Sequence, residues 1–275
     1  MVTIALLAIL TGSTQPAYGS GYESVKLWSV MPEPVVTWMS QTGLKAAHDG
    51  ENWSVLRVLA DDLIARPDLT IEQGFYLRLA IVRSGWARPL CSDTAELERR
   101  VKLVNEAESL ALAAPGEHHQ ALGLVYEDLA VLCRMVGDWS QNLRAEKNLV
   151  ERFHDVQFAI GAPKYWPTLA NTLSMPDYFA YAGESPEDAV AYLKGLARQH
   201  PVREFRFAAL LALGRQYALM NKRQNVKDIV GEVNRDFADL KTSKQFEVYV
   251  TDLRFFANGK GHAVPANGAC CGGRH

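Results

Sequence analysis

The stretch Ala209-Leu-Leu-Ala-Leu-Gly-Arg-Gln-Tyr217 decides the fold of this 275-residue chain. Its apolar positions recur at intervals of three and four residues, the pattern of one buried stripe on an α-helix. The residues of this stripe are Leu210, Leu213, Gly214 and Tyr217. A glycine inside a helix costs up to about 1 kcal/mol relative to alanine, so Gly214 predicts a second helix close to its backbone. That second helix follows the polar break 221–225 and has its own inner face: Val226, Ile229, Val230, Val233 and Phe237.

The rest of the chain repeats this arrangement, which predicts an all-α fold of antiparallel helical hairpins. Five hairpins of uneven length are predicted over 35–240, and an amphipathic helix over 241–256 is predicted to cover the open end of the stack. A single helix is predicted over 34–48. Pro176 is predicted to separate a short or kinked helix from the next one, because proline disrupts a helix interior.

Three stretches carry a resemblance to a known family. The hairpin 203–240 has a length of about 34 residues, the helix 186–199 stops before a proline, and Gly137-Asp-Trp139 forms the turn of another hairpin. These features resemble tetratricopeptide (TPR-like) repeats in degenerate form, since Asn142 and Glu146 stand where the family places small or aromatic residues. The resemblance implies a right-handed solenoid. The first helices of the hairpins would line its concave face, which would bind a peptide or a partner protein.

The resemblance also identifies candidate residues for this groove, namely polar side chains on the predicted first helices. They are Arg78, Arg83, Glu127, Arg134, Arg206 and Arg215. The alternative for each is an ordinary solvated side chain.

Composition and motifs exclude several other classes of function. The net charge of −2 argues against broad nucleic-acid binding, which requires a basic face. No phosphate-binding loop, nucleophile elbow or HExxH motif occurs. The acid pairs Asp61-Asp62 and Glu187-Asp188 are neighbours on helices and do not share a face, so they are unsuited to paired acid–base catalysis. We therefore predict a protein that is not an enzyme, and an enzyme built on helical hairpins is the third hypothesis.

The first residues suggest export. The apolar run Val2–Leu10 is too short to span a bilayer but suits the core of a signal peptide, and Ala17 and Gly19 fit a cleavage site. A buried helix is the alternative, because no basic residue precedes the run. The predicted organisation is a signal peptide over 1–19, an irregular lead-in over 20–34, a repeat domain over 35–257 and a flexible tail over 258–275. We therefore predict that the mature chain has no membrane span and is periplasmic or secreted.

The tail is the feature least like a plain scaffold. Cys270 and Cys271 are adjacent and flanked by glycines, with His275 and His262 nearby, so Cu(I) or Zn(II) could bind there. A redox-labile disulfide, an anchor for modification and an unselected tail are the alternatives, and no other cofactor is predicted. The leading hypothesis is thus an exported protein–protein interaction scaffold with an unidentified partner, and a metal- or thiol-handling protein is the second.

Removal of residues 258–275 tests the tail hypothesis. We expect helicity and melting temperature to stay nearly unchanged, whereas binding of Cu(I) or Zn(II) should be lost, because both thiols and His275 are removed together. Binding to the full chain should weaken as pH falls, since protons compete for sulfur and imidazole. Circular dichroism and metal analysis of the two proteins provide the measurements. Metal retained by the truncated protein would place the site in the helical body.

Overall fold

A computed structural model describes residues 23–24, 26–84, 94–113, 118–165 and 167–259. The fold is all-α, with twelve α-helices in these ranges, each packed against its neighbours. They form two compact units, an N-terminal unit that ends at Lys164 and a C-terminal unit that begins at Tyr165. No helix in the described ranges is long and apolar enough to cross a membrane. The predicted signal peptide, the segment 85–93 and the tail beyond Gly259 lie outside the described residues.

The N-terminal unit is built from seven helices. They are α1 (Glu33–Gln41), α2 (Leu44–Asp49), α3 (Trp53–Ile64), α4 (Ile71–Arg83), α5 (Thr94–Ala113), α6 (His119–Val136) and α7 (Trp139–Glu151). A 3-10 turn, Leu27–Val30, precedes α1, and strand β1 (Glu23–Ser24) pairs antiparallel with β2 (Ala159–Ile160). The helices α4 and α5 pack as one hairpin and α6 and α7 as the next, with α5 against α6.

Local chemistry explains where several of these helices begin and end. Thr70 forms a capping box with Gln73 at the start of α4, as its position before an apolar run favours. The predicted turn between α6 and α7 is confirmed, since Gly137 adopts φ +80° and the Asp138 side chain accepts from the Gln141 amide. The single helix predicted over 34–48 is wrong. It is divided into α1 and α2 at Gly43, whose φ of +81° interrupts the helical backbone.

The C-terminal unit contains five helices arranged around one of them. They are α8 (Thr168–Tyr181), α9 (Pro186–Gln199), α10 (Arg203–Leu219), α11 (Arg223–Asp236) and α12 (Lys244–Ala257). Helix α10 packs against all four others. Of its 17 residues, 12 are buried. The stretch 209–217 therefore forms the centre of this unit, which agrees with its near-continuous apolar sequence.

Pro176 does not end a helix as the sequence predicted, because α8 runs through it from Thr168 to Tyr181. Proline lacks an N–H and should disrupt the helix at this point. Both halves nevertheless bury apolar side chains, Leu169 and Leu173 before the proline and Phe179 after it. The packing of both halves favours one continuous helix despite the lost hydrogen bond.

The close approach predicted at Gly214 is confirmed. A Cβ added there would lie 3.1 Å from Ile229 Cγ2 on α11 and 2.8 Å from Leu253 Cδ1 on α12. Leu213 and Tyr217, which flank the glycine, are buried as predicted. Two helices thus reach the α10 backbone at a point where only a residue without a side chain fits.

Alanine substitution of two glycines in this hairpin should have opposite effects. We expect Gly214→Ala to lower the free energy of unfolding by about 1 kcal/mol, because crowding outweighs the gain in helix propensity. Gly231→Ala on α11 is the matched control, since nothing lies within 4 Å of its added Cβ. It should raise stability by about 0.5–1 kcal/mol.

Urea denaturation of both variants gives the two values. In a Leu253→Ala background, where the nearest clashing atoms are absent, the cost of Gly214→Ala should shrink or change sign. An unchanged cost in that background would show that crowding against α12 is not the cause.

Candidate functional site

The structure brings two of the predicted groove residues together in the N-terminal unit. Arg83 on α4 donates from Nη1 to Glu127 Oε2 at 3.4 Å and to both carboxylate oxygens of Asp128 at 3.2 and 3.3 Å, the two acids being on α6. All three side chains are largely buried. The first helices of two successive hairpins are therefore joined by a charged contact that the sequence indicated only in part, because Asp128 was not among the predicted residues.

A second arginine extends this contact to α5. Arg100 donates from Nη1 to the carbonyl oxygens of Val82 and Ser84, both at 2.8 Å, and from Nε to Glu96 at 2.9 Å. A cation at the carboxyl end of a helix satisfies its last carbonyls and complements the helix dipole. Arg100 thus fixes the end of α4 beside the Arg83 contact, so that α4, α5 and α6 share one buried charged cluster.

Asp128 is the unusual titratable group in this cluster. Only 3% of it is exposed, and burial raises the pKa of its carboxyl to about 7, against the opposing effect of Arg83 and with a contribution from Glu127. A shifted pKa marks a candidate functional residue only where a ligand can reach it. Asp128 lies inside the helical packing, so a pH-dependent structural role suits it better than catalysis.

A nearby buried carboxylate shows the opposite behaviour. Glu108 on α5 accepts hydrogen bonds from the Tyr126 hydroxyl at 2.6 Å and from two Arg144 nitrogens at 2.7 and 2.9 Å. Burial acts to raise its pKa, but the Arg144 and Tyr126 hydrogen bonds prevail and lower it. Glu108 remains ionised and links α5, α6 and α7. Asp128, in contrast, accepts hydrogen bonds from one guanidinium nitrogen of Arg83, and these do not offset the effect of burial on its pKa.

Two other predicted groove residues also have partners inside the N-terminal unit. Arg134 on α6 contacts Glu146 of α7 at 3.3 Å, and so faces the second helix of its own hairpin. Arg78 on α4 donates to Glu106 at 2.7 Å and to the Gly74 carbonyl at 3.0 Å, beside an open groove formed mostly by α5. The structure does not bring these two arginines together with the Arg83 cluster.

The polar residues that make the α7 repeat degenerate have a structural explanation. Asn142 is fully buried and donates from Nδ2 to the Ala130 carbonyl at 2.8 Å. Glu146 is fully buried beside Arg134. Polar contacts between α6 and α7 therefore replace the small and aromatic residues that the family resemblance led us to expect.

In the C-terminal unit, Arg215 forms a partly exposed ion pair, with 22% of its side chain and 17% of the Asp177 side chain exposed. It donates from Nη1 and Nη2 to the two carboxylate oxygens of Asp177, both at 2.9 Å, and so joins the first helices α8 and α10. One helical turn further on, Tyr181 and Leu219 are 46% and 40% exposed. We name these four residues the α8–α10 patch.

The sequence contains a signal for this patch in the spacing of its four residues. Asp177 and Arg215 are separated by 38 positions, and Tyr181 and Leu219 by the same interval, 219 − 181 = 38. Equal spacing is expected when corresponding turns of two successive first helices lie side by side.

The predicted groove residue Arg206 does not belong to the patch. It lies nine positions before Arg215, which places it on the opposite side of α10. Its buried Nε has no hydrogen-bond partner among the described residues.

The described residues contain no group of three histidine, cysteine or acidic side chains that could hold a metal ion. Cys133 is buried, and burial raises the pKa of its thiol to about 12, so it is an unreactive part of the core. The predicted metal ligands Cys270, Cys271, His275 and His262 lie outside the described residues. Cys91 also lies outside them.

Comparison of the chain with protein-family models, curated proteins and solved structures finds no match. The helical-repeat resemblance therefore depends on the residues quoted above and on the helices packed against their neighbours, with which a helical repeat is compatible. The candidate site for a partner is the α8–α10 patch, which combines paired charges with exposed apolar side chains.

Stability should depend on pH through Asp128. Its carboxyl pKa is raised from 3.8 in its ordinary state to about 7 in the fold, so the folded protein binds this proton more tightly than the unfolded chain. The resulting stability is fully present below about pH 4 and is lost as pH rises through 7. Between pH 5 and pH 8 we expect a decline of about 2–3 kcal/mol from this group.

Asp128→Asn should remove that decline, which urea denaturation at several pH values would measure. Asp62→Asn is the matched control, because the Asp62 side chain is 70% exposed. It should keep the pH dependence of the unsubstituted protein. Equal slopes for all three proteins would mean that Asp128 is ionised throughout this range.

Proposed function

We propose that this chain is a TPR-like helical-repeat protein, with hairpins stacked as a right-handed solenoid, and that it acts as a protein–protein interaction scaffold. The α8–α10 patch is the observation that carries this proposal. It lies on first helices, the elements that line the binding face in the family that the sequence resembles. Its exposed tyrosine and leucine lie one helical turn from a partly exposed arginine, and aromatic residues and arginine are enriched at protein interfaces.

The electrostatics of the patch indicate the chemistry of the partner. The bidentate Asp177 contact neutralises Arg215, so the patch presents a neutral polar pair next to two apolar side chains. Such a surface favours a peptide with apolar side chains and backbone hydrogen-bonding groups. It does not favour a polyanion, whose binding depends on unpaired cations.

Export is part of the proposal and rests on the apolar run and small residues near the amino terminus. It would place the partner in the periplasm or outside the cell. The alternative function, metal or thiol handling by the cysteine tail, rests on Cys270 and Cys271 in the sequence, and the truncation described above tests it separately.

A quantitative pull-down tests the patch. The protein and two variants are immobilised and exposed to the exported fraction of the native host, and the captured proteins are quantified. Leu219→Glu should reduce capture of the specific partner at least about tenfold, because a charge replaces a central apolar contact. Val58→Glu is the control, since Val58 is 70% exposed on α3 in the N-terminal unit and outside the patch.

The salt dependence of capture provides a second measurement. For a neutral patch, we expect less than about a tenfold change in affinity between low and high salt. Equal capture by all three proteins would overturn the assignment of the patch. A much steeper loss with salt would indicate a charged surface elsewhere on the chain.

A further inference from the structure

One face of the last described helix is exposed along its whole length. On α12, Val248 is 64% exposed and Phe255 is 53% exposed. The residues around them on the same side are also exposed: Lys244, Glu247, Thr251, Asp252 and Asn258. The opposite face is buried against α10 and α11, through residues such as Phe246 and Leu253. Large apolar side chains exposed on one helix face often mark an interaction site.

The exposed face has the spacing of a helix-pairing seam. Val248, Thr251, Phe255 and Asn258 follow one another at intervals of three, four and three residues, the a and d positions of a heptad. Residues at a and d positions face the partner helix when two helices pack side by side. The exposed face of α12 thus suits a second helix that packs along it.

The charges that flank the seam are self-complementary. Glu247 and Arg254 lie on the same flank, seven positions apart. Within its own chain Arg254 donates from Nη2 to Asn234 Oδ1 at 2.8 Å, so pairing with Glu247 would use its other guanidinium nitrogens.

If a second α12 runs antiparallel with the twofold axis at Thr251, residue n of one copy is level with residue 502 − n of the other. Glu247 is then level with Phe255 of the other copy, one residue or about 1.5 Å along the axis from Arg254, so the two charged side chains on the shared flank stay within reach of each other. Val248 is likewise one residue from Phe255 of the other copy on the seam, and each pairing occurs twice.

We propose that the exposed face of α12 is a homodimer interface in which two copies of this chain pair their α12 helices antiparallel. A twofold interface uses the same surface on both copies and therefore requires each group to meet its complement on that surface. The Val248–Phe255 and Glu247–Arg254 pairings both meet this requirement to within one residue in the register centred on Thr251. A different protein as partner would have no reason to match this internal symmetry.

One feature of the face opposes pairing and makes the register testable. Asp252 lies on the other flank, where the same register brings it close to Asp252 of the second copy. Like charges at this position weaken the contact. A helix of 14 residues is also only about 21 Å long, so the interface is small. We therefore expect a dimer with a dissociation constant in the micromolar range or weaker.

Sedimentation equilibrium of the full chain from about 1 to 500 µM tests the proposal. The expected result is a monomer–dimer equilibrium. Val248→Glu should weaken it at least about tenfold, since the substitution acts twice in each dimer. Val58→Glu is the matched control, because it places the same substitution at a similarly exposed valine of α3, and it should leave the equilibrium unchanged.

Charge variants test the register itself. Glu247→Arg and Arg254→Glu should each weaken association about tenfold, and the double variant should restore it, because each swapped pair is again complementary. Asp252→Asn should strengthen association about threefold. Circular dichroism of each variant confirms that the helices are retained.

Two results would overturn the proposal. One is a chain that stays monomeric throughout the concentration range, which would leave the face to another occupant, such as residues 260–275 or a different protein. The other is a dimer whose strength is unaffected by Val248→Glu or is not restored by the double charge swap, which would place the dimer contact elsewhere.

Discussion

The contact of α11 and α12 with the backbone of α10 at Gly214 is the constraint around which the C-terminal unit is organised. Because no side chain separates the helices at that point, Ile229 and Leu253 pack directly against α10. Most other residues of α10 are buried against its four neighbours. The few positions of α10 that stay accessible are therefore selected by this packing, and Arg215 and Leu219 are two of them. The position of the α8–α10 patch is thus a consequence of the core.

Charged contacts between neighbouring helices perform two different tasks. Inside the N-terminal unit, the clusters around Asp128 and Glu108 join helices at buried positions, where breaking a pair leaves a desolvated charge at high cost. In the C-terminal unit, both side chains of the Asp177–Arg215 pair are partly exposed, and the exposed apolar residues Tyr181 and Leu219 lie one helical turn further on. The same kind of pair that fixes helix register in the interior can orient a partner at the surface. The exposed apolar side chains beside the pair are why we propose the patch, and not the buried clusters, for recognition.

Local physical rules made much of the fold predictable, and long-range pairing explains most of what was missed. Periodicity, the cap at Thr70 and the turn at Gly137 each depend on residues within a few positions, so the sequence indicates them directly. Gly214 also predicted a close contact with one helix, whereas two helices make that contact. Asp128 has the sequence context of an exposed helix residue, and only the position of Arg83, 45 residues away, explains its burial. The helix break predicted at Pro176 is absent from α8, because the packing of both halves of this helix outweighs the loss of one backbone hydrogen bond.

Gly214 and Arg215 are adjacent on α10, and they point to different neighbours. The glycine meets α11 and α12, and the arginine meets α8. Rotation of α10 about its axis would therefore break both contacts at once, which fixes the orientation of Leu219 one turn further on. A partner at the proposed patch would meet a surface already in its bound shape and would lose little conformational entropy there. Recognition at this surface should then proceed in one kinetic step, without a slow rearrangement of the helices before the complex forms.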